Sequence, residues 1–336
     1  MGEALPVSYP RPVLCPACGA ERFRSREVLH DLSVSECLSC GLLLSEIRTE
    51  RRGSEYGNID PGAYERSIGA VRAQQAVEIV GRTRAIIPGG RWLDAGCGFG
   101  YVLQEAQQAG FSVSGVEPDP IAARAASERL GVPVGQGIFD DGTAPDGSLD
   151  VISTLDVLEH VPPDQLAAFA ARVGRKLRPG GVWVIKVPSS EGLFFRIAHT
   201  LGRPAGPFLR RLWQCDEAYP HTVYFHEASL GRFLDEHGFA VLQAAHLADV
   251  PNATVVDRLT VTRSTPRWLA RLVAPAFYAV NAVESLRGRS DALLVIARSV
   301  RTDPEAPRRS SRQPTDHAFL RSSINTCATQ AVSAFA

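Results

Sequence analysis

Lysine is almost absent from this 336-residue chain: Lys176 and Lys186 are the only two, and arginine supplies the rest of its 36 basic residues. We read that bias as codon composition rather than function. Net charge is absent too, because 36 acidic residues balance the basic ones. No overall field therefore draws RNA, DNA or an anionic membrane. No uninterrupted apolar run reaches the roughly 18 residues of a membrane span. Residues 268–282 are apolar, but Arg271 and Pro275 interrupt them. The N-terminus lacks the apolar core of a signal peptide and carries Pro6, Pro10 and Pro12 early, so a soluble cytoplasmic chain is expected. Internal repeats are missing as well.

What is present is ordinary for a globular protein: 45% hydrophobic and 21% charged residues, enough for a sizeable core. The length suggests one large domain and a small accessory one. Residues 1–50 hold two cysteine pairs and short strand-like runs. Residues 51–88 read as a polar linker and a helix over about 64–87. Residues 301–336 lack sustained periodicity and read as a disordered tail. Between them, residues 89–300 alternate strand and helix patterns. Strands are expected at 91–95, 112–117, 132–134, 150–155, 182–187, 239–246 and 292–297. Helices are expected at 101–109, 121–130, 163–177 and 229–237. That order implies an α/β fold, a mostly parallel sheet with helices on both faces. Residues 188–228 and 247–290 are then insertions, expected to be helical, over one end of the sheet.

The run Trp92-Leu93-Asp94-Ala95-Gly96-Cys97-Gly98-Phe99-Gly100 sends an apolar strand into a glycine-rich turn ahead of a helix. Glycines let a ligand approach the backbone closely. The helix start offers N–H groups to an anion such as a carboxylate. Asp94, at the strand end, is placed to accept from a ligand ammonium. A nucleotide-binding turn or a plain turn shares this pattern, and one G-x-G is weak alone. Gly115-Val116-Glu117-Pro118-Asp119 strengthens it. Its acid closes the next strand about 20 residues on, where a carboxylate takes both ribose hydroxyls of a nucleoside.

With Leu155-Asp156-Val157-Leu158-Glu159-His160-Val161 and Leu177-Arg178-Pro179-Gly180-Gly181, these motifs resemble class I S-adenosylmethionine (SAM)-dependent methyltransferases. The nearest subgroup includes ubiquinone-biosynthesis O-methyltransferases and many natural-product and sugar methyltransferases. The resemblance covers residues 89–300 and implies a Rossmann-like, seven-stranded sheet ending in an antiparallel hairpin. It favours SAM over NAD, since Asp-x-Gly-x-Gly replaces the dinucleotide spacing. It places Asp94, Gly96 and Gly98 along the methionine part and Glu117 on the ribose. Ile138, Phe139 and Asp140 fall near the adenine, and Leu155 and Asp156 at the reaction centre. Ala95, Cys97, Tyr101 and Pro118 complete the implied cofactor set.

Methyl transfer from a sulfonium is an in-line displacement, for which the protein aligns the nucleophile and excludes water. A hydroxyl acceptor benefits from a base that titrates near neutrality. The candidates are His160, His221 and His226. The last two lie in Pro220-His221-Thr222-Val223-Tyr224-Phe225-His226, which resembles a loop over the acceptor pocket in that subgroup. Structural hydrogen bonds are the competing role for all three, with Glu159 and His160 tying down a helix start. Some relatives hold a divalent ion at the positions of Asp156, Glu159 and His160. The Asn/Asp-Pro-Pro-aromatic run usual for methylating base amines is missing, which disfavours a nucleobase amine as acceptor.

Cys15-Pro16-Ala17-Cys18 and Cys37-Leu38-Ser39-Cys40 are separated by 18 residues, a spacing that fits a four-thiolate zinc ribbon. Two matched pairs argue against a redox pair. Four thiolates leave no open position, so this zinc is structural and supplies folding energy to a segment too short for its own core. The ribbon docks on the main domain, covers the pocket or binds a partner. The expected activity is methyl transfer from SAM to oxygen or carbon of a small acceptor: a sugar, a lipid precursor or a natural product. No nucleic-acid partner is expected. The alternatives are an RNA methyltransferase with a zinc-ribbon RNA-binding module and a non-catalytic SAM-binding protein. Neutral charge and the missing amine motif weigh against the first, and the intact Asp94, glycines and Glu117 against the second.

Overall fold

The structure, a computed structural model, describes residues 6–8, 13–50, 64–248, 250–260 and 266–300. The linker expected across 51–63 and the disordered tail expected across 301–336 lie outside the described residues. Four strands come first: β1 (Pro6–Ser8), β2 (Phe23–Leu29), β3 (Leu32–Cys37) and β4 (Leu43–Glu50). They pair antiparallel in the order β1-β4-β3-β2. A π-helical turn (Glu65–Gly69) then leads into helix α1 (Ala70–Arg84).

Two strand-helix units follow: β5 (Arg91–Ala95) with α2 (Tyr101–Gln108), and β6 (Ser112–Glu117) with α3 (Pro120–Leu130). Asp119 starts α3 as its cap, accepting the N–H groups of Ile121 (2.9 Å) and Ala122 (3.2 Å), with Pro120 in the first turn. Strand β7 is only Gly135–Gln136, just past the strand expected at 132–134. The cause is local. The Val134 N–H donates to Ser127 Oγ on α3 (3.0 Å), so pairing with β6 begins only at Gly135. Next come β8 (Leu149–Leu155), α4 (Leu166–Lys176) and β9 (Leu177–Pro188). Helices α5 (Leu193–Leu201) and α6 (Gly206–Leu212), the short β10 (Val223–Tyr224) and α7 (Glu227–Glu236) follow. The described chain ends with β11 (Phe239–Leu247), α8 (Val255–Thr260), α9 (Arg267–Arg287) and β12 (Ala292–Ser299).

The central sheet has seven strands in the order β11-β12-β9-β8-β5-β6-β7. Pairings from β9 to β7 are parallel, while β12 runs antiparallel to both β9 and β11. This is the mixed α/β architecture expected, with its antiparallel hairpin at one end. Alternation along each strand sends neighbours to opposite faces. Leu93, Ile152, Trp183 and Leu293 meet α4 and α7 in one core. Trp92, Val151, Val184 and Leu294 meet α1, α2 and α3 in the other.

The N-terminal sheet is not a separate bead. Its Val34 and Ile47 share a third core with Phe195, Leu209 and Trp213 from the segment at 188–228. That segment also donates β10, whose Val223 and Tyr224 pair with Leu44 and Leu43 of β4. Cys15, Ala17, Cys37 and Leu42 bury with Phe225, Leu230 and Phe233. So the insertion does more than cover the sheet end: it welds the cysteine segment to it. The strand order reverses between β5 and β8, and ligands of such sheets bind at the carboxyl ends there.

Candidate active site

After Ala95 the chain folds back onto β6, and the N–H groups of Gly96 and Cys97 donate to Val116 O at 2.8 and 3.1 Å. Gly96 (φ 77°) and Gly98 (φ 52°) take left-handed conformations that suit glycine. A Cβ on Gly96 would stand 2.5 Å from Val157 Cγ2, whereas the space at Gly98 is open. Gly98 lines a cavity of about 630 Å³, a size ordinary for a small-molecule site. Asp94, Ala95, Gly96, Cys97, Gly98, Tyr101, Glu117, Pro118, Ile138, Phe139, Leu155 and Asp156 all line it. Asp140, also placed near the adenine by the sequence, does not, and its Oδ1 accepts the Gly142 N–H (2.9 Å) and the Thr143 hydroxyl (3.0 Å) in a local turn.

Glu117 reaches this cavity from the end of β6. Its Oε2 accepts the Gly98 N–H (2.8 Å) and its Oε1 the Asp119 N–H (2.9 Å). Each oxygen keeps a further lone pair for a ligand hydroxyl. Burial raises the Glu117 carboxyl, and the two N–H donors pull it back. Tyr101 donates its hydroxyl to Glu65 Oε2 (2.6 Å), and Arg129 pairs with Glu65 (2.9 Å) while lying 4.2 Å from the Tyr101 ring. This network ties the turn before α1 to the helix that follows the glycines.

Asp94 is 2% exposed. Its Oδ1 accepts the Ser153 hydroxyl (2.6 Å), whose oxygen accepts Trp92 Nε1–H (2.8 Å). Burial still pushes the Asp94 carboxyl up to about 7. In the free protein the carboxyl is thus protonated below neutrality, and a cationic ligand group favours the ionised form. Affinity for such a ligand rises with pH, by up to about tenfold per unit below pH 7 and flattening above. SAM dissociation constants measured between about pH 6 and 8 check this, and Asp94→Asn removes the slope.

Another part of the cavity wall is built on charge pairs. Asp156 sits at φ 56°, a costly conformation for a residue other than glycine and one often found at functional sites. Lys186 Nζ lies 3.1 Å from both of its carboxylate oxygens, and Arg72 pairs with its Oδ2. The Asp156 N–H donates to Lys186 O (2.8 Å). The other lysine, Lys176, is buried as well, paired with Asp146 (2.8 Å) and donating to Asp141 O (2.6 Å). Both lysines therefore have defined partners in buried places. A compact ammonium on a flexible stem fits where a planar guanidinium does not.

Glu159 is 1% exposed, and its Oε2 has no partner among the described residues. Burial pushes its carboxyl well above the usual range, and nearby Asp156 adds to the rise. The His160 and His221 rings lie 4.8 Å apart. His160 donates Nδ1–H to Pro220 O (3.3 Å), and burial holds its pKa below the usual histidine value. Tyr224 donates its hydroxyl to Leu212 O (2.8 Å), so its oxygen accepts from His221 Nδ1 (3.3 Å). That assignment leaves Nε2 as the accepting nitrogen on each ring. Glu159, His160 and His221 each bring a possible ligand atom within 4.8 Å of the others. Asp156, which stands with Glu159 and His160 at the positions where some relatives hold an ion, pairs with Lys186 and Arg72.

His226, the third base candidate, stands elsewhere. It is absent from the cavity wall. It caps α7 with Ser229: the His226 N–H donates to Ser229 Oγ (3.0 Å), and the same hydroxyl lies 2.9 Å from His226 Nδ1. A serine three residues on makes it a capping residue. Sequence reasoning missed Arg72, Gln75, Gln214, Tyr219 and Arg258, which come from scattered segments to line the cavity. The one usable signal was Lys186, a lysine in a chain that has almost none.

The four cysteine sulfurs converge. Cys15 Sγ lies 3.6 Å from Cys40 Sγ, and Cys18 Sγ lies 3.6 Å from Cys37 Sγ. All four are free thiols within 4.8 Å of one another. A tetrahedral zinc with Zn–S of about 2.3 Å sets its sulfurs about 3.8 Å apart, so these residues fit the ion. Each turn closes through a glycine, Gly19 N–H on Cys15 O (2.8 Å) and Gly41 N–H on Cys37 O (2.9 Å).

A family model for the methyltransferase domain matches residues 65–244. An uncharacterized methyltransferase of Synechocystis sp. is 28% identical over 162 residues, 47% of this chain and 71% of that protein. A ubiquinone biosynthesis O-methyltransferase of Paramagnetospirillum magneticum is 32% identical over 96 residues, 27% of this chain and 38% of that protein. The chain thus spans well under half of that second relative. One chain of the complex between the Haloferax volcanii Trm112 methyltransferase activator and a putative methyltransferase shares the fold. Its TM-score is 0.50 at 15% identity, over 74% of this chain and 99% of that one. With the domain model covering more than half of its residues, this chain belongs to the methyltransferase-domain family of SAM-dependent enzymes.

Proposed function

We propose that the chain moves the methyl group of SAM onto an oxygen or carbon of a small acceptor, with His221 as base and a structural zinc on Cys15, Cys18, Cys37 and Cys40. One observation carries this reading. A single cavity is lined both by a glycine turn with an acid suited to a nucleoside and by two histidines beside a buried carboxyl. SAM supplies the activated methyl when bound. Glu117 takes the ribose hydroxyls, Asp94 the ammonium, and the backbone after Gly98 the carboxylate. Ile138 and Phe139 flank the adenine. At the acceptor end, His221 Nε2 accepts the acceptor's proton while Tyr224 holds the ring in that tautomer. Asp156, pinned by Lys186 and Arg72, borders the reacting atoms and fixes their alignment.

Replacing His221 with Ala lowers kcat about 10²- to 10⁴-fold and leaves SAM affinity nearly unchanged. His226→Ala, which removes only a helix cap, leaves kcat close to wild type. Turnover screened with hydroxyl-bearing acceptors and labelled SAM checks both, and an unaltered kcat in His221→Ala ends the role of that base. A second reading also has an observation behind it, the partnerless Oε2 of Glu159 beside two imidazoles. A divalent cation there would use Glu159, His160 and His221 as ligands. Electron paramagnetic resonance of added Mn²⁺, compared between wild type and Glu159→Gln, tests it. For the zinc ribbon as a docking module, the support is Val13, Leu14 and Leu38, which stay exposed around its turns.

A further inference from the structure

The apolar stretch too short to span a membrane forms most of α9, a 21-residue helix. One face of it is anchored. Ala270 and Ala274 are buried, and Phe277 packs against Phe194 of α5 at 4.7 Å. Asn281 donates to Val250 O (2.8 Å), and Glu284 accepts the Leu193 N–H (2.7 Å). The opposite face is bare. At 3.6 residues per turn, Trp268, Leu272, Pro275, Ala279, Val283 and Leu286 fall on one stripe, all of them exposed. Trp268, Leu272 and Leu286 are 68%, 71% and 89% exposed. The stripe runs the length of the helix, about 30 Å at 1.5 Å per residue. Ile197 and Leu201 of α5, on the side that carries Phe194, are exposed too.

The exposed charges carried by α9 itself have one sign. Glu284, the sole acid of α9, is on the anchored face. Arg271 and Arg287 are exposed and have no acid partner among the described residues, while Arg267 is held by Asp257 (3.1 Å). An apolar stripe with a terminal tryptophan and an arginine rim matches the interface of an anionic bilayer in both its apolar and its charged parts. A second copy of the chain would satisfy the apolar part but would bring the arginine rims together. The zero net charge of the whole chain conceals this face, because its compensating acids lie elsewhere.

We propose that α9 is an interfacial anchor, lying in the headgroup region of an anionic membrane with Trp268, Leu272 and Leu286 in the acyl boundary and Arg271 and Arg287 on lipid phosphates. Helix α8 packs against α9 and carries Arg258 into the wall of the cavity, so the anchor stands beside that cavity. Co-sedimentation of the full chain with vesicles reads this directly and involves no methyl transfer. Binding is expected to vesicles of phosphatidylcholine mixed with phosphatidylglycerol, with little to phosphatidylcholine alone, and to weaken in high salt. Leu272→Glu and Leu286→Glu each lower the partition coefficient about tenfold or more. Both side chains face solvent, so unchanged circular dichroism and SAM titration certify the fold of the variants. Failure to sediment with either vesicle overturns the proposal. So does a dimer in light scattering that the same substitutions dissociate and that ignores vesicles, for a second copy then covers the stripe.

Discussion

Replacing Cys37 with Ser, or stripping the metal with a chelator, is expected to take away turnover before it touches SAM affinity. Structural zinc contributes about 10–16 kcal/mol of apparent binding energy in small zinc-finger peptides at neutral pH. Even a loss of about 5 kcal/mol would lower the Tm by roughly 10 °C in a domain of this size. The effect on activity follows from the strand pairing. Ser45 of β4 donates its hydroxyl to His221 O (2.7 Å) and its N–H to Thr222 O (2.9 Å). The next residues, Val223 and Tyr224, pair with the same strand. His221 and the tyrosine that orients it are therefore held on a sheet that the cysteine turns close. Asp94, the glycine turn and Glu117 are held by β5 and β6, which belong to the other sheet. A fall in kcat of about 10²-fold or more, as for removal of a general base, should accompany a much smaller change in the dissociation constant for SAM. Elemental analysis should find about one zinc per wild-type chain. A Cys37→Ser protein with wild-type Tm and kcat would remove the zinc from the account.

Glu117→Ala carries the other large effect, this time on the cofactor. Hydrogen bonds to a charged group contribute about 1.5–3 kcal/mol each. Two ribose hydroxyls on one carboxylate then correspond to about 10²- to 10⁴-fold in the SAM dissociation constant. The substitution also deprives the Gly98 and Asp119 N–H groups of their acceptor, so the turn itself loosens. Glu117→Gln keeps the shape and lowers the charge, and an intermediate loss is expected. Isothermal titration resolves the series. A change of threefold or less in Glu117→Ala would place the ribose elsewhere.

The cofactor half of the site was legible because it is local. Strands β5 and β6 match the expected 91–95 and 112–117, and the glycine turn and Glu117 follow from them within about 25 residues. Propensity and periodicity act over that range. The acceptor half was legible only in fragments, because it is assembled from afar. Arg72 comes from α1, Lys186 from near the carboxyl end of β9, and Arg258 from α8. No spacing in the sequence joins them. His226 looked equivalent to His221, yet the serine three residues later takes it as a helix cap. Strand β10 is two residues long and exists only through its pairing with β4, so no pattern of its own announces it. Residues 268–282 form no membrane span, as expected: among the described residues no helix is long and apolar enough to cross one. The exposed stripe of α9 emerges only once Glu284 and Asn281 are seen to face inward.

The most direct test is a crystal structure of the zinc-loaded chain grown with saturating S-adenosylhomocysteine. The nucleoside is expected in the cavity between the glycine turn and Phe139, with both ribose hydroxyls on Glu117 and the thioether facing Asp156 and the His160–His221 pair. A cavity that stays empty, or a nucleoside whose ribose lies away from Glu117, would contradict it.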